Sequence, residues 1–177
     1  MIVWLNGTHG VGKTTTSALV QRLLPGSRIL DAEKVGETLM DVRPGLPATD
    51  DFQHWPPWRP LVVETASRIL EWTGGVLVMP MTVLVEDYWR EIASGFAERG
   101  IPVRHVLLHA DQAVLRQRID DDVLMTPSDF RRSRLDPYAI AYDGWLGREA
   151  EVVDTTGLTP PEVAQRVAEL VTDGNGP

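Results

Sequence analysis

Apolar positions along this chain follow two rhythms: short unbroken runs, and longer stretches in which apolar residues recur every three or four positions. The first fits strands buried on both faces and the second amphipathic helices. Residues 2–6, Ile-Val-Trp-Leu-Asn, predict a strand that leads through glycines into a helix with Leu19, Val20, Leu23 and Leu24 on one face, stopped by Pro25-Gly26. A short strand over 28–31 and a helix over about 32–42 follow. Residues 43–57, rich in Pro and Asp, read as a long loop. A helix over 58–73 stops at Gly74-Gly75, a strand covers 76–81, and Tyr88, Ile92 and Phe96 mark a helix ending at Gly100. Residues 103–110 predict a fourth strand, with Asp111 capping a helix that carries Val114, Leu115 and Ile119, and residues 151–155 a fifth. Thr159-Pro160-Pro161-Glu162 reads as a capping box opening a last helix that buries Val163, Val167, Leu170 and Val171.

Five apolar strands alternating with helices imply an α/β fold, a five-stranded parallel sheet flanked by helices, because crossover helices are the usual connection between parallel strands. The length of 177 residues fits a single domain over 1–173, with 174–177 expected as a disordered tail. A net charge of -8 argues against a partner recognised through nucleic-acid phosphates or anionic lipid, so any anion site must be local. With no cysteine, neither disulfides nor a thiolate zinc site support the fold, which agrees with a cytoplasmic location. The apolar run before Asn6 is far shorter than a signal peptide's, and no run approaches the ~18 residues of a membrane span.

The segment that sets the chemistry is Gly7-Thr8-His9-Gly10-Val11-Gly12-Lys13-Thr14, followed by Thr15. It matches the P-loop pattern of glycine, four residues, Gly-Lys and a hydroxyl residue, between a predicted strand and a predicted helix. Its backbone N–H groups and the following helix N-terminus suit phosphate oxygens. Lys13 would reach the β- and γ-phosphates of ATP, and the Thr14 hydroxyl would hold Mg²⁺. The chain has only two lysines, Lys13 and Lys34, so lysine appears where this loop needs it in a sequence that otherwise uses arginine.

The third strand and its exit, Val76 to Thr82, carry no aspartate for Mg²⁺, which points away from switch GTPases and motors. Asp31, after the second strand, stands where a small kinase places an acid to orient or deprotonate a substrate hydroxyl; the competing role is a cap on the next helix. Arg116 and Arg118, then Arg131, Arg132 and Arg134, lie where a nucleotide-kinase-like fold carries a short lid, and Arg118 and Arg132 are the preferred pair for a migrating phosphoryl group. Asp50-Asp51-Phe52-Gln53 with Trp55, Trp58 and Arg59 suits a polar, ring-bearing ligand. His9, His54, His105 and His109 lack metal-ligand spacing.

These segments together resemble the tunicamycin-resistance ATP-binding protein family: Val3-Trp4-Leu5-Asn6-Gly7 entering the P-loop, Asp31 to Gly36, Asp51-Phe52-Gln53 with Trp58-Arg59, and Val78-Met79-Pro80-Met81-Thr82. The resemblance implies a kinase-like P-loop fold that binds ATP and protects against a nucleoside antibiotic, with Asp31, Gln53, Arg59 and Thr82 lining the acceptor side. Members can carry a further C-terminal segment linked to membrane association; this chain ends before it, so stable membrane association is not expected. Two functions compete: an ATP- and Mg²⁺-dependent kinase with a small-molecule acceptor, and an ATP-binding protein that sequesters the drug unmodified.

Overall fold

The computed structural model describes residues 1–123 and 129–173, so the tail expected over 174–177 lies outside the described residues. Strands β1 (Ile2–Asn6), β2 (Arg28–Ile29), β3 (Leu77–Pro80), β4 (Val103–His109) and β5 (Glu151–Asp154) form one sheet in the order β2-β3-β1-β4-β5. All four pairings are parallel. Central β1 is buried at every position, as its unbroken apolar run requires. Register pairs Trp4 with His105, which therefore share one face of the sheet, and both rings meet Trp89 there, at centroid distances of 5.5 and 3.7 Å.

The helices are α1 (Lys13–Leu23), α2 (Glu33–Met40), α3 (Trp58–Thr73), α4 (Glu86–Glu98), α5 (Gln112–Asp120), α6 (Asp129–Ser133), α7 (Leu135–Ala141), α8 (Gly147–Glu149) and α9 (Pro160–Asp173). A π-helical turn over Tyr142–Leu146 joins α7 to α8, and a single 3₁₀ turn, Phe52–His54, interrupts the long loop before α3. Helices α1 and α9 pack together, as do α3 and α4. Helix α9 opens as its sequence predicts, with the Glu162 carboxylate accepting from the Thr159 N–H at 2.8 Å.

Three expectations are corrected. The second strand ends at Ile29, two residues before Asp31, because the chain turns there to start α2. On α1 the buried stripe runs through Thr16, Ser17 and Val20, continued by Leu24 just past its end, and leaves Leu23 43% exposed. Asp111 occupies the position before α5 without a side-chain capping bond. The stretch around the lid arginines is itself helical, as α6 and α7; α6 is short and charged, and α7, although it buries Leu135, Tyr138 and Ala141, carries Pro137 in its first turn.

Candidate active site

The P-loop begins where β1 leaves the sheet. Gly7 has φ of 137°, and a Cβ there would stand 2.6 Å from the Leu108 carbonyl oxygen, so no other residue fits this close approach to β4. Its N–H donates to the Asn6 side-chain oxygen at 2.8 Å, and its carbonyl accepts from the Lys13 ammonium at 2.8 Å and the Thr82 hydroxyl at 2.7 Å. Lys13 also donates to the Thr8 carbonyl. The Lys13 ammonium thus lies across the loop, satisfied by main-chain oxygens.

Burial brings the Lys13 pKa down to about 8; Glu33 opposes that shift, Arg131 adds to it, and Asp31 opposes it. His9 is pushed down to about 4 by burial and then by Lys13, Arg131 and Arg134, so it is neutral at pH 7. Lys13, Arg131 and Arg134 therefore all bear on His9 in the loop, positive charge of the kind that suits a polyphosphate.

Beside the loop is a cavity of about 560 Å³, lined by His9, Glu33, the segment from Asp50 to His54, Met81, Thr82, Tyr88 and the lid residues Phe130, Arg131 and Arg134, among others. The Phe130 ring meets His9 edge-on at 5.7 Å, and the Arg134 guanidinium lies over Phe130 at 4.6 Å while pairing with Asp51 at 3.6 Å. Arg131 donates to Asp122 at 2.7 Å. The two lid arginines are held on separate acids, one of them on the opposite wall.

Of the residues expected on the acceptor side, Gln53 and Thr82 line this cavity, and the Gln53 amide donates to the Thr82 carbonyl at 3.0 Å. Asp31 is not among the lining residues; its Oδ1 accepts from the Glu33 N–H at 3.0 Å, the local capping role weighed against it. Glu33 lines the cavity instead, its carboxyl held above the usual carboxylate range by burial and next by Asp31. Arg59 is 8% exposed and anchors structure: it donates to Glu91 and to the Gln53 carbonyl, both at 2.5 Å, beneath the Tyr88 ring.

The preferred pair Arg118 and Arg132 is not brought to the cavity. Arg118 donates to the hydroxyl and the carbonyl of Thr155, each at 2.9 Å, bracing the segment after β5. Arg132 reaches Asp120 and Asp129 on the surface. Arg131 and Arg134 stand one helical turn apart and share a face, and that spacing was the readable signal for choosing them over Arg132. The signal for Glu33 was its place two residues after Asp31, on the first turn of the same helix.

For Mg²⁺, the fit rests on the Thr14 hydroxyl, exposed on the first turn of α1 beside the loop. Among the described residues no group of three or more His, Asp or Glu gathers that would hold a metal without the nucleotide. Oxygens of a bound nucleotide would therefore complete the coordination.

Fold and loop define the class: a P-loop protein with a kinase-like α/β domain. Its residues 2–137 match the family model described as AAA domain, and the chain belongs to that family. The structure is similar to the tunicamycin resistance protein of Deinococcus radiodurans, with a TM-score of 0.78 and 27% identity over 97% of this chain and 95% of that one. The resemblance seen in the sequence thus extends over the whole fold. A sugar kinase from Janibacter sp. HTCC2649 (TM-score 0.68, 21% identity, 97% and 94% covered) shares the fold. So does shikimate kinase from Acinetobacter baumannii, in complex with shikimate (TM-score 0.65, 17% identity, 98% and 94% covered). No curated protein matches the sequence. No described helix is long and apolar enough to cross a membrane.

Proposed function

We propose that this protein is a cytoplasmic ATP- and Mg²⁺-dependent phosphotransferase that phosphorylates a small hydroxylated, nucleoside-antibiotic-like molecule and so confers tunicamycin-type resistance. The observation that carries the reading is a cavity beside the phosphate loop, in which His9 of that loop, two lid arginines and an amide-, hydroxyl- and aromatic-bearing wall face one another. That is the arrangement a transfer between two bound molecules needs. The likeness to a tunicamycin resistance protein supports the drug class.

In this reading residues 7–15 cradle the donor phosphates, and Lys13 leaves its main-chain oxygens for the γ-phosphate. The Thr14 hydroxyl would hold Mg²⁺, which when bound would supply charge neutralisation at the donor phosphates. Gln53 and Thr82 face the acceptor, with Phe52 and Tyr88 available to its ring. The acceptor hydroxyl gives its proton to a carboxylate, Glu33 with Asp31 beside it, as its oxygen bonds to the γ-phosphorus and the bond to the ADP oxygen breaks. Arg131 and Arg134 take the role first assigned to Arg118 and Arg132, countering charge on the transferred group.

Glu33→Gln tests the chemistry against sequestration. The kinase reading expects drug-dependent turnover to fall about 100-fold, within the span of general-base effects, with MgADP affinity nearly unchanged. A protein that only sequesters would produce no phosphorylated drug in either form.

A further inference from the structure

Asn6 is fully buried, immediately before the phosphate loop and outside its motif. Its side-chain amide donates to the Val83 carbonyl at 2.9 Å and accepts from the Val83 N–H at 3.0 Å, a two-bond clip of the kind one strand makes with another. The same side-chain oxygen accepts from the Gly7 N–H. Val83 follows Thr82, whose hydroxyl donates back to the Gly7 carbonyl. Asn6 and Thr82 therefore fasten both main-chain polar groups of Gly7 to the segment 81–85, four of whose residues, Met81, Thr82, Leu84 and Val85, line the cavity.

The clip has a rigid backing. His105 packs against Trp89 with ring centroids 3.7 Å apart, and its Nε2 lies 3.2 Å from the Asn6 amide nitrogen. An amide nitrogen only donates, so this His105 nitrogen accepts and the ring is neutral, as its burial also dictates. Gly7 is equally constrained on its other side, where β4 leaves no room for a Cβ. Neither the loop nor the wall can shift alone without breaking buried hydrogen bonds.

We infer that Asn6, with Thr82, is a positioning residue that fixes the acceptor wall relative to the phosphate loop and so sets the distance between the acceptor hydroxyl and the γ-phosphate. The inference rests on the phosphotransferase reading. Thr82 then acts through Gly7 rather than as a substrate contact alone, and displacing the wall would lower transfer without loosening the donor.

The test compares wild type with Thr82→Val, which keeps the shape and removes the donated hydrogen bond, Thr82→Ser, which restores it, and Asn6→Leu. Amide hydrogen exchange is followed with and without MgADP, and phosphorylation of tunicamycin is followed with MgATP. In wild type MgADP slows exchange in residues 7–14 and also in 81–85. In Thr82→Val the first protection stays and the second falls at least about threefold, the transfer rate drops about tenfold, and MgADP affinity stays within about threefold, in keeping with one hydrogen bond. Thr82→Ser recovers both. Asn6→Leu removes four hydrogen bonds and shows the larger effect; if it does not fold, the Thr82 pair decides. MgADP protection of 81–85 that is absent in wild type, or equal in all folded variants, overturns the inference. A wild type that binds MgADP and yields no phosphorylated compound overturns the transfer reading alone, since the exchange result stands on donor binding.

Discussion

Lys13 is the side chain on which most of the proposed chemistry turns, and its surroundings give it a pH signature. Its pKa of about 8 without nucleotide, set first by burial, means that the ammonium begins to lose its proton just above neutrality. Phosphate oxygens favour the charged form, so binding above pH 8 must take up a proton, and affinity falls as pH rises. MgADP should bind about eightfold more weakly at pH 9 than at pH 7.5, as a single site titrating at that value requires. Titration calorimetry across the range checks this, and Lys13→Ala should remove the slope, weaken binding throughout and abolish turnover while staying folded. The residue types and spacing of the loop were legible from the sequence, because a motif of glycines, lysine and hydroxyl specifies its own local geometry. Which acid and which arginines face the cavity was marked only by spacing, Glu33 two residues after Asp31 and Arg131 three before Arg134. Asp31, Arg118 and Arg132 each found nearer partners, in the Glu33 N–H, Thr155 and the pair Asp120 and Asp129, and such choices are made by tertiary contacts that a linear pattern does not carry.

Among the elements, the segment from Asp50 to His54 shapes the cavity wall proposed to face the acceptor, and it is held from below. Asp51 accepts from the Gln53 N–H at 3.0 Å, closing the 3₁₀ turn, and Phe52 covers Gly36 so closely that a Cβ there would stand 2.5 Å from the ring. Arg59 at the start of α3 bonds the Gln53 carbonyl and ties the turn to Glu91 on α4. Removing it leaves a buried carbonyl unsatisfied and the Tyr88 face uncovered. Arg59→Ala should cost about 2 kcal/mol, the scale of a charge-assisted hydrogen bond, and also weaken drug binding because the turn loses its anchor. Urea unfolding at unchanged m value measures the first effect. The residue was singled out in sequence as an acceptor contact; its aromatic and acidic neighbours made either role chemically sensible, and only the packing of α3 against α4 separates them. Long helices such as Trp58–Thr73 were legible to the residue, whereas α6, short and charged, and α7, short and with a proline in its first turn, were not.

At the scale of the whole molecule, the sheet order puts the phosphate loop at the end of its central strand, with the segment after β3 and the lid residues lining the cavity beside it. The same core makes the protein acid-sensitive. His105 is held neutral by burial, at a pKa of about 3 against about 6.5 in an unfolded chain. The unfolded state therefore binds the extra proton below pH 6.5, so the stability tied to this group is present above that value and is lost as pH falls towards 3, at about 1.4 kcal/mol per pH unit. Chemical denaturation at pH 7 and pH 5 should show the loss, and His105→Gln should reduce it. In the proposed reaction one cavity joins an ATP phosphate to a drug hydroxyl. Mass spectrometry of tunicamycin and related nucleoside antibiotics after incubation with the protein and MgATP tests it most directly. A product heavier by one phosphoryl group, formed with wild type and lost with Lys13→Ala, is the expected result; drug bound in an ATP-dependent manner and recovered unmodified would rule the transfer out.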